Sequence, residues 1–98
     1  MSGSQISSAA LDARRRKILF RSWHRGMRET DLLMGRFADA EIGHLSVAEL
    51  AEFEDLLEVP DRDIFGWLTG GEEVPSSYDT PTFRKLKLFH SHAGPLDL

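Results

Sequence analysis

The sequence predicts an all-α fold, a compact bundle of five short helices. No stretch alternates apolar and polar residues over the length of a strand, and β-branched residues are few. Apolar residues recur instead at three- and four-residue spacing in five segments. Gly, Pro and capping residues stand between those segments in linkers of a few residues, so successive helices should pack as neighbours.

Residues 1–9 are small and polar with one Ile, too little apolar surface to offset ordering, and are expected to form a flexible leader. They lack a basic stretch followed by an apolar one and so do not resemble a secretory signal. A single helical domain is expected over residues 10–93. Its first helix, residues 11–25, contains straight-chain helix formers, no Pro or Gly, and Leu11, Ile18, Leu19 and Trp23 on one side. Gly26 ends it, where a left-handed residue is commonly required. The second helix follows over residues 27–41 with Met27, Leu33, Met34, Phe37, Ala38 and then Ile42 at helical spacing, and with Glu29 and Asp31 near the exposed amides of its first turn.

After a break at Gly43-His44-Leu45, Ser46 with Glu49 three residues on forms a capping box. The third helix then lines one face with Val47, Leu50, Phe53, Leu56 and Leu57, and leaves Glu49, Glu52, Glu54, Asp55 and Glu58 as a solvated face. Pro60 stops it and, with Asp61 as cap, opens a fourth helix through Ile64, Phe65, Trp67 and Leu68. Trp67 is expected in the core. Gly70-Gly71 ends that helix, residues 72–79 form a loop, and the Thr80-Pro81 pair opens a fifth helix with Phe83, Leu86 and Phe89 on one side. Gly94-Pro95 closes the ordered part, leaving residues 94–98 as a flexible tail.

A chain of 98 residues fits one domain. Surface scaling lets about 65% of its unfolded area be buried, enough for one modest core. Without cysteine there is neither a disulfide framework nor a thiolate metal site, which points to a reducing compartment. Apolar runs are pairs and triplets such as Ile18-Leu19-Phe20, far short of the ~18 residues that span a bilayer, so a soluble chain with no membrane insertion is expected. The net charge of −4 conceals a segregation: residues 11–36 hold eight basic residues against three acidic, and residues 37–79 hold one against twelve. Such a dipolar domain suits either an oriented polar contact with a partner or self-complementarity within the fold.

His24, His44, His90 and His92 make no familiar metal-ligand spacing, and no Ser-His-Asp arrangement is marked. No Gly-x-Gly-x-x-Gly follows a strand, so the chain is expected to hold no dinucleotide of its own. The run Arg14-Arg15-Arg16-Lys17 raises nucleic-acid binding, but the acidic segment would repel a phosphate backbone and no base-reading helix pair is recognisable. No nucleic-acid partner is therefore expected. Arg25-Gly26-Met27-Arg28-Glu29 falls on the corner between the first two helices. A glycine corner admits a partner's backbone, with a guanidinium fork and a carboxylate on the same edge. Read for structure alone, Gly26 is a helix stop and Glu29 a surface residue complementing the helix dipole.

Here the chain resembles the SdhE family of flavinylation factors, whose mitochondrial relatives are called succinate dehydrogenase assembly factor 2. The hallmark Arg-Gly-x-x-Glu is matched by Arg25-Gly26-Met27-Arg28-Glu29 and followed by Asp31. The resemblance continues through Leu32-Leu33, Leu45-Ser46, residues 53–58, Pro60-Asp61-Arg62-Asp63-Ile64-Phe65 and Trp67-Leu68. It implies a five-helix domain that is not itself an enzyme, binds the flavoprotein subunit of succinate dehydrogenase, and promotes covalent attachment of FAD to a client histidine. The flavoprotein of fumarate reductase is the second client it suggests. The reacting atoms would belong to the flavin and the client, and the helper would hold no cofactor stably. Arg25, Gly26, Glu29 and Asp31 are the implied client-binding residues, on a monomer in the bacterial cytoplasm, with the mitochondrial matrix as the other setting. A general interaction or antitoxin-like domain and a nucleic-acid binder are the competing classes.

Overall fold

A computed structural model describes residues 11–93, so the expected leader and tail lie outside the described residues. Five α-helices follow in order: α1 Ala13–Trp23, α2 Arg28–Glu41, α3 Val47–Leu57, α4 Asp61–Thr69 and α5 Pro81–Ala93. Short 3-10 turns cover Ile42–His44, after α2, and Ser76–Tyr78, before α5. Among the described residues there is no strand.

Local chemistry sets most of the helix ends. α1 starts later than its apolar pattern suggests because Asp12 is its cap, the Oδ1 atom accepting the Arg15 amide at 2.8 Å. At the start of α3 both halves of the capping box are present: Glu49 N–H donates to Ser46 Oγ at 3.1 Å, and Ser46 N–H to Glu49 Oε1 at 2.9 Å. Thr80 Oγ1 accepts the Phe83 amide at 3.1 Å, with Pro81 as the first residue of α5. Gly70 ends α4 at φ 84°. Asp61 departs from expectation. Pro60 occupies the cap position of α4 and makes no side-chain cap bond, while the Asp61 carboxylate turns towards Arg25, between α1 and α2, and Thr30 of α2.

The inner faces of all five helices meet in one core whose largest fully buried members include Phe37, Phe53, Phe83, Ile18, Met34 and Ile42. α2 is central, packing against α1, α4 and α5, while α3 packs against α1 and α5. Phe37 contacts Phe53 at a centroid distance of 5.5 Å and meets Phe89 edge-on at 5.7 Å; Trp67, buried as expected, lies 5.3 Å from Tyr78. Val47 is a correction to the expected face. It is 69% exposed, because at the first position of α3 the side chain precedes the turn that packs.

The segregated charges pair with one another inside the fold. Arg14 reaches Glu54 at 2.6 Å, Arg21 reaches Glu58 at 2.5 Å and Arg25 reaches Asp61 at 2.6 Å, tying the chain from α1 to Arg25 along α3 into the start of α4. Arg15 adds bonds to the carbonyls of Ile42 and Leu45, tying α1 to the 3-10 turn that follows α2. Of the two uses the charge pattern suggested, these contacts realise self-complementarity.

α1 and α2 approach closely at one point. A Cβ on Gly35 would lie 2.4–2.7 Å from three atoms of the Trp23 indole, so the missing side chain is what lets the ring lie on α2. Trp23 also donates Nε1–H to Asp39 at 3.4 Å. This seat fixes the last turn of α1, immediately before the Arg25-Gly26 corner.

Candidate functional site

Three residues past Trp23 the backbone reverses at Gly26, with φ of 109°, a region that L side chains rarely adopt. Beyond its two chain neighbours, no residue has an atom within 4 Å of the position a Cβ would take there, and the residue is exposed. The corner is thus an outward-facing stretch of bare backbone. Met27 then caps α2 without a side-chain bond, and Glu29 lies in its first turn. Glu29 is half-buried, makes no ion pair among the described residues, and stands in the first turn of α2 beside the exposed amides of the helix.

The other two expected site residues turn inward. The Arg25 side chain is 7% exposed. Its Nε–H donates to Asp61 Oδ1 at 2.6 Å, one terminal nitrogen donates to the Leu57 carbonyl at 3.0 Å, and the other to the Val59 carbonyl. Leu57 is the last residue of α3, so the guanidinium caps that helix and crosses to α4. The sequence reading offered this fork to a partner; in the structure the chain uses it itself. Asp31 Oδ1 accepts the Arg25 backbone amide at 2.7 Å, closing the corner from the α2 side.

Two residues outside the expected set complete the arrangement. Thr30 is fully buried and donates Oγ1–H to Asp61 Oδ1 at 2.7 Å, with the Met27 carbonyl at 3.1 Å as a second neighbour, so one carboxylate oxygen serves both Arg25 and Thr30. An open cavity of about 350 Å³ flanks the corner, lined by Phe20, Arg21, His24, Arg25, Leu57, Pro60 and Asp61. Phe20 is 62% exposed and stacks on His24 with centroids 3.9 Å apart. The stacking of these two rings is not read from the sequence, where His24 is weighed only as a metal ligand and Phe20 only as part of an apolar triplet. A small polar residue flanked by charge, as Thr30 is between Glu29 and Asp31, is the faint signal that could have marked the buried hydroxyl.

Among the described residues no three His, Asp or Glu side chains gather as metal ligands, and no helix is long and apolar enough to cross a membrane. Fold and site together define a small helical domain that exposes a glycine corner held from behind by an ionic lock. A family model described as Sdh5, flavinator of succinate dehydrogenase, matches residues 16–90, and the chain belongs to this family. It is 39% identical to the FAD assembly factor SdhE of Acetobacter pasteurianus, over 87% of this chain and 78% of that protein. It is 42% identical to the mitochondrial succinate dehydrogenase assembly factor 2 of Dictyostelium discoideum, over 84% of this chain and 57% of that protein. The corresponding factor 2-B of Drosophila persimilis is 38% identical over 79% of this chain and 50% of its own length. The chain therefore spans little more than half of these mitochondrial relatives. No solved structure gives a significant match. The expected family is borne out by a match over residues 16–90.

Proposed function

We propose that this chain is an FAD assembly factor that binds the flavoprotein subunit of succinate dehydrogenase and promotes covalent attachment of FAD to it. The observation that carries the reading is the corner. The family match runs through it, and there the structure combines an exposed glycine at φ 109° with open space around it and a carboxylate, Glu29, one turn away. Gly26 admits the client's backbone to close range, and Glu29 supplies a charge-assisted contact.

The bond is formed between the flavin and a client histidine, so the reacting atoms are not this chain's. A helper contributes what a rigid surface can: it orients client segments around the flavin, excludes water and fixes the local field. The reading therefore assigns the chain no catalytic residue and no resident cofactor. The flavoprotein of fumarate reductase is the second client, and the helper works as a monomer in a reducing compartment, the bacterial cytoplasm in preference to the mitochondrial matrix.

The test is co-expression of the client flavoprotein with and without this chain, followed by flavin fluorescence of the client band on a denaturing gel. Fluorescence that depends on the chain is expected. Glu29→Ala should weaken client binding roughly 10- to 100-fold, the range for losing a hydrogen bond to a charged group. Equal covalent fluorescence without the chain would refute the assignment.

A further inference from the structure

The tethers at the glycine corner bracket it on both sides. Before Gly26, the Arg25 guanidinium is tied to Asp61 and to the carbonyls of Leu57 and Val59, and the Arg25 amide is tied to Asp31. After Gly26, Thr30 is tied to the same Asp61 oxygen. The segment between is held at the one residue whose backbone would otherwise roam most widely. Asp61 stands in the first turn of α4, so a residue far from the corner in sequence fixes the corner's shape.

We propose that Arg25 and Asp61 are positioning residues for client binding: the Arg25–Asp61–Thr30 lock sets the geometry in which Gly26 and Glu29 meet the client, and Arg25 itself does not reach across. This rests on the assembly-factor reading above. A side chain that is 7% exposed, with Nε and both terminal nitrogens donating internally, is built to hold rather than to recognise. Client affinity should then depend on Asp61 and Thr30.

The experiment measures the dissociation constant for the purified, FAD-loaded flavoprotein subunit of succinate dehydrogenase, using Asp61→Asn, Thr30→Val, Arg25→Ala and the Arg25→Ala/Asp61→Asn pair. Melting curves and the backbone amide resonances of Gly26, Arg28 and Glu29 are recorded in parallel. Asp61→Asn should weaken binding about tenfold at a temperature where it is fully folded, and shift those resonances. The double variant should bind within about twofold of Arg25→Ala, because both substitutions open one lock. Ser46→Ala, which loosens α3 at its far end, should lower the melting temperature and leave affinity unchanged; a general loss of stability is thereby separated from mispositioning. If Asp61→Asn fails to fold, Thr30→Val carries the same comparison. Unchanged affinity in Asp61→Asn and Thr30→Val beside a large loss in Arg25→Ala, or additive losses in the double variant, would overturn the proposal and make Arg25 a direct contact. Should the unsubstituted chain not bind the client, the assembly-factor reading fails, and the amide shifts alone decide whether the lock holds the corner.

Discussion

Replacing Gly35 by Ala sets two effects against each other. Helix propensity favours Ala over Gly by about 0.8–1 kcal/mol in a helix interior such as α2. Against it stands the Trp23 indole, whose atoms lie 2.4, 2.5 and 2.7 Å from where the new methyl would sit. Carbon atoms in contact rest at about 3.5–4.0 Å, so the ring must withdraw by roughly 1 Å. Such overpacking costs about 1–3 kcal/mol, and withdrawal also weakens the Nε1–H bond to Asp39. Sterics should win, with a net destabilisation of about 1–2 kcal/mol. For a domain of this size that lowers the melting temperature by about 4–16 °C. Thermal and urea unfolding followed by circular dichroism measure it. In a Trp23→Ala background the methyl meets open space, and Gly35→Ala should become stabilising by up to about 1 kcal/mol. A Gly35→Ala protein as stable as the parent, or the same loss in both backgrounds, would refute the close seat of Trp23 on α2.

Ser46→Ala removes one half of the capping box and should cost about 1 kcal/mol, seen as a melting temperature lower by about 4–8 °C. Gly26→Ala meets no residue beyond its chain neighbours within 4 Å but must hold a φ of 109°, so it should lose about 1–3 kcal/mol by strain alone, read from urea midpoints, without disturbing the core. Burial holds His90 below its ordinary value of 6.5, opposed by its bond to the Leu33 carbonyl, so the stability of the neutral ring is present above about pH 6.5 and lost as pH falls. Melting temperatures from pH 7.5 to 5.5 should fall, and His90→Gln should flatten that slope; an unchanged slope would contradict it. Further into acid, the side-chain bond from Lys85 holds Glu49 low and that from Arg14 holds Glu54 low. Their stabilisation is present above about pH 4.5 and disappears as pH drops through their folded values, which a melting series from pH 5 to 3 would register.

Features written within a few consecutive residues were legible in the sequence. Ser46 and Glu49 cap α3, Thr80 and Pro81 open α5, and Gly70 stops α4 because each needs only neighbours within a turn. The exposed corner at Gly26 was legible for the same reason. What Arg25 does was not. Its acceptors lie 32, 34 and 36 residues away, and only the packing of α3 and α4 against α1 and α2 brings them within reach. Asp61 after Pro60 has the composition of a cap, and only tertiary contact shows that Arg25 and Thr30 draw its carboxylate elsewhere. Gly35 gave no signal, since a helical glycine declares nothing about the ring that covers it 12 residues earlier.

The row of ion pairs has a consequence for how the chain matures. Arg14–Glu54, Arg21–Glu58 and Arg25–Asp61 join residues 40, 37 and 36 apart. Each closes a loop that contains the whole of α2, and closing such loops precedes the reward of the contact. The last of the three also shapes the corner. A chain that has made α1 and α2 but has not yet delivered α4 therefore carries every residue of the Arg25–Glu29 run without its working shape. The shape of the corner is therefore acquired late, with the docking of α4, although every residue of the run is already present in the first two helices and the turn between them.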